Sequence, residues 1–310
     1  MAALASTAAF AQSVTLSGGV AYGYQSTKDA SAGTTAKGFG MDTAALKATV
    51  TEDLGGGMKV TGVVSVGGLA RGATVGGEDS SLELAGGFGA LKFGALEIGS
   101  GIRGRAQAGA PVNNMEGEVL GAAANYDFVG FTAPKMGDFT FSASITENAG
   151  APKLSDGMNA AAGSTAAQSV GYTVGVSYAA GPVSAGVDFT DGKNPASGKL
   201  DSRYRVSGSY DLGVAKVGAG FENQKLFGGG NNKYTMVGVS APMGAVTVGA
   251  VWVKNDTTAT AGDKTGTSFG VSYALSKRTS LSANIASWDD TEGAGAKTDK
   301  KTTILLAHSF

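Results

Sequence analysis

Cysteine is absent and histidine occurs once. No disulfide framework, zinc ribbon or cysteine nucleophile can be built without cysteine, and one histidine cannot make a His-rich metal cluster. Proline is scarce at 6 residues, and charged residues make up only 16% of the chain. A formal net charge of −1 gives no reason to expect nucleic acid as a partner. No run approaches the roughly 18 apolar residues of a membrane-spanning helix. Leu and Glu are sparse beside Gly, Ala, Ser, Thr and Val, which argues against a helical protein.

What the 310 residues contain instead is alternation. In 13–24, Val14, Leu16, Val20, Tyr22 and Tyr24 share one parity and Ser13, Thr15, Ser17 and Gly19 the other. Phe139, Phe141 and Ile145 oppose Thr140, Ser142, Ser144 and Thr146 in the same way. So do Tyr204, Val206 and Tyr210 against Arg203, Arg205, Ser207 and Ser209. A two-residue period of this kind is the signature of strands with unlike faces. The phase of 91–98, 121–132 and 232–241 is not settled by pattern. The final ten residues also alternate, with Ile304, Leu306, His308 and Phe310 on the more apolar parity. A strand position at the last residue implies a partner for that strand, and 13–24 is the natural one.

Connections fall into two classes. Short turns rich in Gly, Pro and Asp are read at 52–57, 86–90, 133–138, 179–182, 211–213, 241–244 and 274–278. Longer connections are read at 25–37, 72–79, 99–121, 148–168, 191–201, 228–232, 256–265 and 289–300. They alternate along the chain. The expected architecture is all-β: a transmembrane 16-stranded antiparallel barrel, with short turns on one rim and long loops on the other. Its apolar parity would face lipid and its polar parity water. A soluble sheet with so many half-apolar strands needs a covering layer, and no segment offers one.

Residues 1–11 are small and apolar and end in Ala9-Phe10-Ala11, an A-x-A cleavage pattern. They are expected to be the remnant of a secretory signal peptide, leaving 12–310 as a single barrel.

Stretch 99–121 carries the candidate selectivity residues. Arg103 and Arg105 lie near one end, Glu116 and Glu118 near the other. Folded into a lumen, they would line a narrowed passage; as an ordinary surface loop they would be solvated. Gly99, Gly101 and Gly104 match G-x-G-x-x-G, but no amphipathic helix or βαβ unit follows, so a dinucleotide site is excluded. Lys47, Lys59, Arg71, Arg203, Arg205 and Lys216 fall on the polar parity, against Glu83, Asp188 and Glu222. This excess predicts a weak preference for anions. An enzyme is not expected: His308 falls on the apolar parity near the short-turn rim, a poor place for a catalytic base. No cofactor or metal is implied. A structural or adhesive barrel with a blocked lumen is the alternative, and it would need a plug.

Several stretches resemble the Gram-negative general porins, especially those of beta-proteobacteria. They are Ser13-Val-Thr-Leu16 after Ala-Phe-Ala-Gln, Thr51-Glu-Asp-Leu-Gly-Gly-Gly-Met-Lys59, the run 81–94, the run 272–281, and the ending His308-Ser-Phe310. The resemblance implies a trimeric outer-membrane barrel, passive diffusion of small hydrophilic solutes and ions, and a third long loop folded inward. It places Arg103, Arg105, Glu116 and Glu118 at a constriction. It also implies contact with outer-membrane lipid and lipopolysaccharide. Phe310, with His308, would be the signal read by the barrel-assembly machinery. The loop is short and lacks the Pro-Glu-Phe-Gly-Gly-like segment many porins carry at its tip.

Overall fold

The computed structural model describes residues 12–70, 72–148, 169–193, 199–258, 262–290 and 297–310. The chain winds through β1 (Gln12–Asp29), β2 (Thr34–Gly55), β3 (Met58–Gly67), β4 (Gly76–Gly86) and β5 (Gly89–Ile98). A short helix, α1 (Arg103–Ala106), precedes β6 (Ala124–Thr132), β7 (Phe139–Asn148), β8 (Ser169–Ala180) and β9 (Val183–Gly192). Then follow β10 (Leu200–Asp211), β11 (Lys216–Leu226), β12 (Asn231–Met243) and β13 (Val246–Thr257). The last are β14 (Lys264–Ala274), β15 (Thr279–Asp290) and β16 (Lys297–Ser309).

Each strand pairs antiparallel with the next, and β16 returns to β1 with Gly19 opposite Ser309 and Lys28 opposite Lys300. The sheet is a closed barrel with no free edge strand. Closure satisfies backbone groups that could not be left unpaired in lipid. A ten-residue strand such as β3 is about 33 Å long at ~3.3 Å per residue, and tilted by about 45° it crosses a hydrocarbon layer of about 25 Å.

The two parities separate as expected. Leu16 is 65% exposed, Val174 59% and Phe269 64%, all on the outside. Ser207, Ser209 and Ser268 on the other parity are buried. Register also fixes the phases that pattern left open. Phe93 lies opposite Leu82 and Val129, so all three point outward. Gly94 lies opposite Phe128, and Leu96 opposite Tyr126, so these face the lumen. In β12, Val237 and Val239 are outward while Tyr234, Met236, Gly238 and Ser240 are buried inward.

Several loop boundaries differ from the sequence reading. Residues 25–37 are mostly strand: β1 and β2 continue in register up to Asp29 opposite Thr34, leaving a tip at 30–33. Asp29 Oδ1 accepts the Ala32 N–H at 2.7 Å and Gly33 takes φ +67°, which closes the turn. Strand reaches into three more of the connections read from sequence: β12 starts at Asn231 within 228–232, β13 runs to Thr257 and β14 starts at Lys264 within 256–265, and β15 runs to Asp290 and β16 starts at Lys297 within 289–300. In each case polar residues keep pairing above the apolar band. Polarity there reports water around the strand, not loss of the strand. The signal-remnant reading of residues 1–11, the side chain of Arg71, and residues 149–168 lie outside the described residues.

Candidate pore constriction

After β5 the chain does not return directly to β6. It crosses the barrel and lies against the inner face of β9 to β16. α1 contacts β10, β11 and β12. The wall beneath it is made of glycine. A Cβ on Gly218 would stand 2.2 Å from Arg105 O, and one on Gly238 2.4 Å from Ala106 O. Further along, a Cβ on Gly249 would meet Ala110 at 2.5 Å, and one on Gly270 would meet Pro111 O at 2.0 Å. These approaches leave no room for a side chain on the wall.

Apolar side chains complete the attachment. Ile102, Ala106, Met115 and Val119 are buried against Met236, Val251, Val253 and Trp288. Ile102 and Met115 are fully buried, each contributing about 1.5–3 kcal/mol by removal from water. Ser240 Oγ donates to Ala108 O at 2.6 Å. Ala108 at φ +54° and Met115 at φ +61° are non-glycine residues in the left-handed region, a conformation that persists only where surrounding contacts over-determine it. The sequence reading missed this lane of inward glycines and its apolar pad. The signal was available: Gly218, Gly220, Gly238, Gly249, Gly266 and Gly270 all fall on the inward parity.

The four loop charges do not face each other across a gap. Arg103 is ion-paired with Glu116 inside the loop, tying its outgoing and returning arms, and Glu116 Oε1 also accepts the Ser100 N–H at 3.0 Å. Glu118 Oε1 lies 3.7 Å from Lys301 Nζ on β16. Arg105 reaches the wall instead: its Nε donates to Ser184 Oγ at 3.1 Å, and its guanidinium lies over Gly186. No carboxylate of the described residues lies within 4.0 Å of it.

On the wall, Arg205 Nε donates to Asp188 Oδ1 at 2.8 Å, and its Nη1 is 4.0 Å from Glu222 Oε2. Asp188, Arg205 and Glu222 are direct cross-strand neighbours, so register alone builds this row. Arg203 Nη2 donates to Thr190 Oγ1 at 3.2 Å. Lys47 and Lys59 are exposed and Lys216 is half-buried; none is in an ion pair among the described residues. Lys92, not singled out from sequence, lies opposite Glu83.

At the short-turn rim, His308 Nδ1 is 2.9 Å from Thr279 Oγ1, on the outward face. Phe310 is hydrogen-bonded to Gly18.

Every wall contact of the 99–121 segment given above falls on β9 to β16; β1 to β8, which receive none of them, form the bare wall.

The sequence matches the Gram-negative porin family over residues 1–293. No curated relative matches it. Among solved structures it is similar to an anion-selective porin from Comamonas acidovorans, at 23% identity and TM-score 0.74, covering 97% of this chain and 100% of that one. It is similar to OmpT of Vibrio cholerae in its trimer form, at 14% identity and TM-score 0.69, covering 97% and 100%. The outer membrane channel DcaP of Acinetobacter baumannii gives 12% identity and TM-score 0.71 over 96% and 97%. The family match runs along nearly the whole barrel, and the chain therefore belongs to the Gram-negative porins, diffusion pores of the outer membrane.

Proposed function

We propose that small hydrophilic solutes cross between the pinned segment 99–121 and the bare wall of β1 to β8, and that anions are weakly preferred. Arg103, Arg105, Glu116 and Glu118 form the constriction in this reading, but they do not contribute equally. Each loop carboxylate has a cation: Arg103 for Glu116 and Lys301 for Glu118. Arg105 and Lys47 have no carboxylate within 4.0 Å among the described residues. That imbalance is the observation that carries the preference. A pair that cancels locally exerts little field beyond its own length, while an unmatched cation raises the concentration of passing anions. The related Comamonas acidovorans porin is described as anion-selective, which supports the same sign.

A homotrimer is part of the proposal, supported by the trimer form of the Vibrio cholerae relative. So are removal of residues 1–11 as a signal remnant, contact of the outward apolar band with outer-membrane lipid and lipopolysaccharide, and use of Phe310 and His308 as the signal for the barrel-assembly machinery. Reversal potential in a salt gradient across a planar bilayer tests the function. The expected result is ohmic conductance at rest with a potential of the anion-preferring sign. A cation-preferring sign overturns the selectivity, and absence of conductance supports a blocked lumen instead.

A further inference from the structure

The bare wall is not uniformly polar. On its lumen-facing parity Val63 on β3 and Ile98 on β5 are apolar, and Leu96 on β5 with Tyr126 and Phe128 on β6 form a group of three. Apart from Ile98, their neighbours on that face are small or hydrophilic: Ser81 and Glu83 on β4, Ser144 and Thr146 on β7. None of the three belongs to the apolar cluster that fixes the 99–121 segment. All three are half-buried, so each keeps surface toward the lumen. Apolar surface facing water is unfavourable unless something covers it.

Two glycines shape this strip. A Cβ on Gly130 would lie 2.4 Å from Phe128 Cζ, so the ring lies along the wall over Gly130 instead of projecting across the lumen. Gly94, directly opposite Phe128, adds no side chain beside it. A flat ring with a bare neighbour presents its face to whatever passes.

Counted from the short-turn rim, the strip and the unmatched cation lie at a similar depth. Phe128 lies four positions inside Thr132, the short-turn end of β6, about 13 Å along the strand. The Arg105 guanidinium lies over Gly186, three positions inside Val183, the short-turn end of β9, about 10 Å along the strand. Register separates them around the wall: Phe128 is level, across β7 and β8, with Gly192 on β9, six positions from Gly186, so a small solute touching the strip does not touch Arg105.

We propose that Leu96, Tyr126 and Phe128 form a solute-contact strip that favours solutes carrying a planar apolar body over solutes of equal charge that lack one. This inference does not rest on the anion preference proposed above. The planar body covers apolar wall that otherwise stays wet. Contact of this kind is weak, as a transport site requires, because a solute held tightly does not leave.

The test uses the full-length protein in liposomes and bilayers with two matched pairs of probes. Benzoate against acetate reports the strip for an anionic solute, and phenyl glucoside against methyl glucoside reports it for a neutral one. In the unaltered protein, benzoate and phenyl glucoside should each permeate faster, relative to their partners, than free diffusion predicts. The double variant Tyr126→Ser, Phe128→Ser should lower both ratios by about threefold, the scale of one modest aromatic contact. Phe128→Leu should retain part of the effect, since it keeps apolar surface but not the planar face. Heat-modifiable migration on gels confirms that each variant is a folded barrel. Ratios unchanged in the folded double variant overturn the proposal.

Discussion

Gly18 and Phe310 are hydrogen-bonded in both directions, Gly18 N–H to Phe310 O at 3.0 Å and Phe310 N–H to Gly18 O at 3.1 Å. The Phe310 ring occupies the space a Gly18 side chain would need: a Cβ there would stand 2.6 Å from Phe310 Cζ and 2.6 Å from Ala45 O. The seam of the barrel is therefore closed by a ring seated on a glycine. Gly18→Val should displace the ring and cost about 1–3 kcal/mol, the usual range for overpacking. Gly19→Ala is the control, because the nearest atom to its Cβ is His308 O at 3.7 Å. Urea titration of the folded fraction checks this, with a lowered midpoint expected for the first variant and little change for the second.

The glycine lane makes a second expectation. Gly238→Val places a branched side chain where Ala106 O lies 2.4 Å from the Cβ position. The wall is continuous sheet and cannot retreat, so the 99–121 segment must lift off it. Single-channel conductance should change and become noisier, while the barrel still migrates as folded. A conductance indistinguishable from that of the unaltered protein would mean that the segment does not set the narrowest point.

Charge variants should act in opposite directions. Arg105→Gln removes an unmatched cation and should weaken the anion preference. Glu118→Gln leaves Lys301 without its carboxylate and should strengthen it. A unit charge acting through water at about 7 Å is worth about 0.6 kcal/mol, roughly a threefold change in local anion concentration. Reversal potentials at 0.1 M salt should resolve that. At 1 M the screening length falls from about 10 Å to about 3 Å, and both shifts should shrink.

Parity can be tested by charge as well. Val129 on β6 faces outward and is 43% exposed, while its neighbour Phe128 faces the lumen. Val129→Lys should cost about 2–4 kcal/mol if it sits at the bilayer midplane, whereas Ser144→Lys on the lumen face of β7 should cost far less. Folding yield into lipid vesicles distinguishes them.

The barrel was legible in the sequence because one physical rule repeats along it. Where large apolar residues alternate with Ser, Thr and Gly, as in Phe139, Phe141 and Ile145, both the strand and its orientation follow. Closure of β1 on β16 was legible for the same reason. The rule fails where both parities carry polar or small residues. Residues 25–37 look like a loop in sequence because strands that rise out of lipid lose their apolar face while keeping their ladder. It fails differently in β6, where Tyr126, Phe128, Val129 and Phe131 put aromatics on both faces and only register with β5 separates them. Loop charges could be named but not paired. Arg103 and Glu116 meet because the segment folds back on itself, and that fold is set by glycines more than a hundred residues away.

The passage itself can be located with a single thiol, since the chain contains no cysteine. Lys47 lies on the inward face of β2, on the bare wall, and is exposed. Lys47→Cys should react with a water-soluble, negatively charged methanethiosulfonate reagent while the channel conducts. Each modified channel should then show a stepwise fall in current and a shift of reversal potential away from anions. A thiol that reacts without altering current or potential, or that never reacts in an open channel, would place the route for solutes somewhere other than the space between the bare wall and the pinned segment.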